Sequence, residues 1–214
     1  MIYFISDVHG GEKTSGLNEY LSIAKEDDLL IILGDIGLKF TSSEENIAFD
    51  KFFLEIDKKI AIIDGNHENH AYLSSSPEED WCGGKVNRLS KNIVRLKRGN
   101  VFTIFDKTFF VMGGCKSSAK WKDMGLWFDG EEPTKEELSL AYKNLNKHNN
   151  KVDYILTHKY RPDMRSDDKM TLEGLYSYID DNVSFTSWYA GHWHKIKAYE
   201  DKHFIIYDKL TPLK

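Results

Sequence analysis

The stretch Leu29-Leu30-Ile31-Ile32-Leu33-Gly34-Asp35, LLIILGD, runs from unbroken apolar side chains into a glycine and a carboxylate. A run this short, apolar at every position and rich in branched residues, reads as a strand buried on both faces, the kind found in sheets covered by helices. Its last two residues place a turn and an ionisable group at the strand's carboxyl end. The same grammar recurs four more times. IYFIS leads into Asp7-Val8-His9-Gly10, KIAII into Asp64-Gly65-Asn66-His67-Glu68, DYIL into Thr157-His158, and SWYA into Gly191-His192-Trp193-His194.

Between these runs lie segments with apolar residues three and four apart: LNEYLSIAKE from Leu17, EENIAFDKFFLEIDKK from Glu44 and TLEGLYSYIDDN from Thr171. TKEELSLAYKNLNK opens with Thr134 and Glu137 in capping-box spacing, and Leu138, Ala141, Tyr142 and Leu145 then line one face. Alternating strands and helices predict an α/β domain, whose ligands gather beyond the carboxyl ends of the strands. Two further segments, 101–112 and 196–207, read as β-hairpins and predict a second, partly antiparallel sheet. No linker divides the chain, so 1–214 is expected to form one domain.

The charge balance, 29 basic against 34 acidic residues for a net charge of -5, provides no general field for a polyanion. The lysines are scattered, which argues against long nucleic acids as partners and leaves short nucleotides open. No apolar run approaches a membrane span. The start MIYFIS lacks a basic leader and reads as a first strand rather than a signal peptide. Cys82 and Cys115 are too few for a disulfide framework, and free thiols suit the cytoplasm. The oligomeric state is not readable.

Five of the eight histidines fall at predicted strand ends. Asp, His and Asn in that setting are hard or borderline donors suited to Mn, Zn or Fe. Asp7 and His9 are two residues apart, as are His192 and His194; in extended backbone each pair would point to one side. Either pair alone is weak, but the two together with Asp35, Asn66 and His158 form a coherent donor set. Asp7-x-His9, Gly34-Asp35, Gly65-Asn66-His67-Glu68, His158 and Gly191-His192-x-His194, in that order, resemble the motif set of the calcineurin-like metallophosphoesterase family.

The resemblance implies a four-layer α/β/β/α sandwich of mixed sheets with flanking helices and a two-metal site. By position, Asp7, His9 and His194 would hold one ion, Asn66, His158 and His192 the other, and Asp35 would bridge them. It implies hydrolysis of a phosphate ester by a metal-bridging hydroxide, with two divalent ions, Mn²⁺ foremost and Fe, Zn or Ni as alternatives. Two such ions, two aspartates and one hydroxide leave a net charge of about +1, enough for an acidic protein to bind phosphate. His67 would donate a proton to the leaving oxygen or stabilise charge beside it. A nuclease or nucleotide phosphodiesterase with the same metals is the nearest alternative, and a non-catalytic scaffold of the same fold the next.

The match has gaps. In the family's protein serine/threonine phosphatases the second motif goes on to a further aspartate and an arginine, whereas here it reads Gly34-Asp35-Ile36-Gly37-Leu38-Lys39. That leaves open what orients His67; Asp64 and Glu68 are close in sequence. Arg161 and Arg165 could reach a substrate or simply pair with Asp163 or Asp167. The segment 113–133 is long, polar and aromatic, as a pocket-forming loop would be, with Lys116, Lys120, Trp121 or Trp127 near its mouth. Cys115 reads as a small buried residue, and His70, His148 and His203 as structural or exposed.

Overall fold

The computed structural model describes residues 1–199 and 201–213. In chain order its elements are β1 Ile2–Ile5, α1 Ser15–Ile23, β2 Leu29–Leu33, α2 Glu44–Leu54, β3 Ile60–Ile63, α3 His70–Ser75, β4 Glu78–Trp81, β5 Gly84–Arg88, β6 Ile93–Leu96, β7 Val101–Ile104 and β8 Lys107–Met112. There follow α4 Ala119–Asp123, α5 Lys135–Lys147, β9 Tyr154–Thr157, α6 Leu172–Asn182, β10 Ser187–Ala190, β11 Lys197–Tyr199, β12 His203–Ile205 and β13 Thr211–Pro212.

The strands form two mixed sheets, ordered β13-β1-β2-β3-β6-β5-β4 and β11-β12-β10-β9-β8-β7. In the first, β1, β2, β3 and β6 run parallel, with Leu30 paired to Tyr3 on one side and Ile60 on the other. In the second, β8, β9, β10 and β12 run parallel. All five strand-like runs are strands, and all five residues of β2 are buried.

Three apolar layers explain why two sheets are needed. Phe4, Ile31, Ile63, Phe109, Leu156 and Tyr189 belong to a core between the two sheets. Alternate residues of the same strands face outwards: Ile5, Ile32 and Ile62 pack with Leu17, Tyr20 and Phe53 from α1 and α2, while Phe110, Ile155 and Trp188 pack with Leu138, Leu145 and Tyr176 from α5 and α6. Strands covered on both faces must be apolar throughout, and each fully buried Leu, Ile or Phe adds about 1.5–3 kcal/mol relative to exposure. The result is the α/β/β/α sandwich.

Helix starts follow the sequence closely. Thr134 caps α5 in a complete capping box with Glu137, and Thr171 caps α6 through the Gly174 amide. The pattern from Glu44 was expected to run to Lys59, but α2 ends at Leu54. The hairpin 101–112 is present as β7–β8. That from 196 to 207 is present as shorter strands, β11 and β12; Glu200 lies outside the described residues. Neither hairpin stands apart from the parallel strands: β8 and β12 join the same sheet as β9 and β10. Strands β4 and β5 were not anticipated, because their sequence EEDWCGGKVNR is polar and charged and lies towards the sheet edge that β4 forms; nor was β6, whose four buried residues sit between β3 and β5. No helix among the described residues is long and apolar enough to cross a membrane.

Candidate metal centre

The carboxyl ends of β1, β2 and β3 in the first sheet meet those of β8, β9 and β10 in the second. Hydrogen bonds stitch this seam: the His192 amide donates to Asp7 Oδ2 (3.0 Å), the Gly114 amide to Asp64 O (2.7 Å), and His158 Nδ1 lies 2.8 Å from Leu33 O. The first sheet delivers Asp7, His9, Asp35, Asn66 and His67 to the seam; the second delivers His158, His192 and His194.

These residues fall into two clusters joined by Asp35. In the first, His9 Nε2 and His194 Nε2 are 2.9 Å apart and lie 3.9 and 3.4 Å from Asp7 Oδ1. In the second, His158 Nε2 is 3.1 Å from Asn66 Oδ1 and 3.3 Å from His192 Nδ1. Asp35 reaches both, with Oδ2 3.8 Å from His9 Nε2 and Oδ1 3.4 Å from His158 Nε2. Asp7–His9–His194 and Asp7–Asp35–His158 each form donor sets with all ligand atoms within 4.8 Å of one another.

The donor chemistry fits cations. Asp7 Oδ1 is buried without a hydrogen-bond partner, a costly arrangement unless positive charge meets it. His158 Nδ1 lies 2.8 Å from Leu33 O, where it donates, so Nε2 is the ring nitrogen that faces the cluster and would bind an ion on giving up its proton. Asn66 Nδ2 donates to Ser117 Oγ (2.9 Å), which turns its carbonyl oxygen inwards. Burial, followed by the proximity of His158, pushes the His192 pKa down to about 3, and burial lowers His9 despite the pull of Asp35 and Asp7. Both are therefore neutral donors at pH 7. Burial opposes charge on Asp35 and His158 alike, but their mutual attraction outweighs it, lowering the carboxyl and raising the imidazole. Asp35 thus already draws positive charge to the point where the two clusters meet.

The backbone holds these groups in an unusual way. Asp7, His9, Asp35, His192 and His194 all have positive φ, between 48° and 70°. The expectation that each two-residue pair points one way because its backbone is extended is therefore incorrect; left-handed turns at the strand ends aim the side chains instead. Such conformations cost about 1 kcal/mol or more per residue and gather at functional sites. Close approach also dictates two glycines. A Cβ on Gly34, whose φ is +89°, would lie 2.3 Å from His158 Nδ1, and one on Gly65 would lie 2.0 Å from Asp35 Oδ1.

A family model for calcineurin-like phosphoesterases matches residues 1–196 of the 214-residue chain. The chain belongs to the calcineurin-like phosphoesterase family. Membership makes it a metal-dependent hydrolase of phosphate esters, a chemistry that the donor clusters suit. No curated protein sequence matches it.

In this calcineurin-like phosphoesterase neither neighbour in sequence orients His67. Glu68 accepts the Ile36 and Gly37 amides, fixing the turn after β2, and burial followed by the nearby Asp35 pushes its pKa up to about 8. Asp64 binds Arg95 at 3.0 Å and Arg98 Nε at 2.6 Å. His67 instead lies between Trp121 and Phe40, with ring centroids at 4.5 and 5.2 Å and near-perpendicular planes. Arg161 and Arg165 are tied up in surface pairs with Asp163 and Asp181. His203 is buried against Asp180 at 3.0 Å. Trp193 donates to Tyr160 O yet also lines the cleft.

His70 is buried beside Asp64, Arg95 and Arg98, and neither ring nitrogen has a hydrogen-bond partner. Burial is the main reason its pKa is lowered to about 4. A histidine buried neutral must acquire its proton on unfolding, so its stabilising contribution is complete above pH 6.5 and lost as pH falls towards 4. Between pH 7 and 4.5 this costs about 2–3 kcal/mol. Urea unfolding of wild type and His70→Gln across that window is expected to show a shallower loss in the variant.

Proposed function

We propose that residues 1–214 act as one phosphoesterase domain with a dinuclear centre, in which Asp7, His9 and His194 hold one divalent ion, Asn66, His158 and His192 the other, and Asp35 both. The convergence of two donor clusters on the single carboxylate of Asp35 carries this reading. When bound, the ions supply Lewis acidity and water activated as a nucleophile near neutral pH. The chain's own groups do the rest. Ser117 and Leu33 orient the Asn66 and His158 donors, the Glu68 carboxyl fixes the turn that carries Asp35, and the His67 imidazole delivers a proton to the leaving oxygen. Free Cys82 and Cys115 support a cytoplasmic setting.

The cleft beside these groups has a volume of about 1060 Å³, and its lining includes Phe40, Trp121, Leu126, Lys116 and Lys159. An aromatic wall with two lysines favours, as a second reading, a short nucleotide over a small aliphatic ester, since bases stack on aromatic rings.

Metal removal tests the reading. Stripped protein is expected to be inactive, and restored Mn²⁺ to return hydrolysis of a chromogenic monoester, its diester analogue, or both. Their ratio fixes the ester class, and a mononucleotide panel tests the second reading. Metal uptake without turnover on any of these substrates would instead favour a non-catalytic scaffold.

A further inference from the structure

One buried side chain at the seam belongs to none of the family motifs. Cys115 is 1% exposed and follows β8, which runs parallel to β9, so Gly113 and Gly114 carry it to the same edge as His158. One side of the residue packs on the outer apolar layer. Its sulfur, however, faces polar atoms: Sγ is 3.0 Å from Asn66 Oδ1 and 3.6 Å from His192 Nδ1. Cys115, His158 and His192 form a third donor set with all ligand atoms within 4.8 Å of one another.

The spacing is that of a coordination polyhedron. A five-coordinate ion with ligand bonds of 2.0–2.3 Å has ligand-to-ligand edges of about 2.8–4.0 Å. The four distances among Asn66 Oδ1, His158 Nε2, His192 Nδ1 and Cys115 Sγ given above run from 3.0 to 3.6 Å, within that range. Three of the donors are aimed from outside the cluster. His158 is held by Leu33 O, Asn66 by Ser117, and Cys115 by the turn in which the Gly114 amide binds Asp64 O and a Cβ on Gly114 would lie 2.3 Å from Glu131 O.

We infer that Cys115 is a fifth protein donor to the second ion, beside Asn66, His158, His192 and the shared Asp35, and that it biases this position towards thiophilic zinc or iron(II) and away from manganese. The inference rests on the dinuclear reading above. On binding, the S–H bond breaks, a sulfur–metal bond forms and the proton passes to solvent, with no change of oxidation state. Thiolate selects softer ions, whereas the Asp7, His9 and His194 set contains only oxygen and nitrogen. The two positions therefore differ in metal preference.

X-ray absorption on the full chain loaded with two equivalents of Zn²⁺ tests this without recourse to activity. A Cys82→Ser background removes the exposed thiol. A sulfur scatterer is expected at about 2.3 Å, absent in Cys115→Ala, where only nitrogen and oxygen at about 2.0–2.2 Å remain. Cobalt(II) loading should give a near-ultraviolet thiolate charge-transfer band that Cys115→Ala and Cys115→Ser both lack. Zinc-over-manganese preference in competition should fall at least about tenfold in Cys115→Ser, the scale of a lost ligand contact. Two bound zinc ions with only nitrogen and oxygen scatterers would overturn the role of Cys115 and leave the metal centre standing. Failure to bind zinc at all would remove both. The wild-type spectrum decides the matter even where Cys115→Ala does not fold.

Discussion

Asp35→Asn is expected to lower kcat/KM on every phosphate ester by about three orders of magnitude, roughly 4 kcal/mol of transition-state stabilisation. Among the described residues, Asp35 is the one carboxylate within 4 Å of donors in both clusters, at 3.8 Å from His9 and 3.4 Å from His158. Asparagine keeps the shape and can still accept the His67 amide, which Asp35 Oδ1 now does at 2.8 Å. What it loses is the negative charge between two cations, whose repulsion is then unscreened, so the metal content measured by elemental analysis should fall below two per chain. Undiminished activity with two metals bound would sink the bridging role.

The second large effect concerns His67. His67→Asn is expected to slow cleavage of an alkyl phosphate by about 10²–10⁴, the usual worth of a positioned acid. An activated aryl ester, whose leaving group departs as the anion, should lose far less. Burial, ahead of the opposing pull of Asp35, lowers the His67 pKa below its ordinary value. The protonated form therefore dominates only on the acid side of 6.5, and wild-type kcat on alkyl esters should decline as pH rises through that lowered pKa. Equal losses on both substrates would show that His67 shapes the turn rather than moving a proton.

Much of the architecture was legible because burial on both faces leaves a plain mark. Runs such as LLIIL and SWYA can only be satisfied inside a layered sheet, and the helix starts at Thr134 and Thr171 carry their caps in the sequence. The seven side chains that gather at the seam were legible as an ordered motif. The geometry that joins them was not. Nothing in Asp7-x-His9 announces left-handed backbone, because φ at a strand end is set by hydrogen bonds to another strand, here Asp7 N to Gly34 O and His9 N to Asp35 O. Cys115 reads correctly as buried, but its place beside this cluster was hidden for a related reason. Segment 101–112 reads locally as a self-contained hairpin, and only the parallel pairing of β8 with β9 brings its end to the seam. The clamp on His67 joins Phe40 and Trp121, whose contact no local pattern encodes.

Because one sheet supplies Asp7, His9, Asp35 and Asn66 and the other His158, His192 and His194, the distance between the half-sites is set by whatever lies between the sheets. That layer contains Phe4 stacked on Tyr189 at 4.5 Å, each on a strand that ends in residues of the seam. The aromatic core therefore works as a spacer gauge. On the dinuclear reading, thickening or thinning it by a methylene group would retune which ions the seam can grip, without altering any of the side chains gathered there.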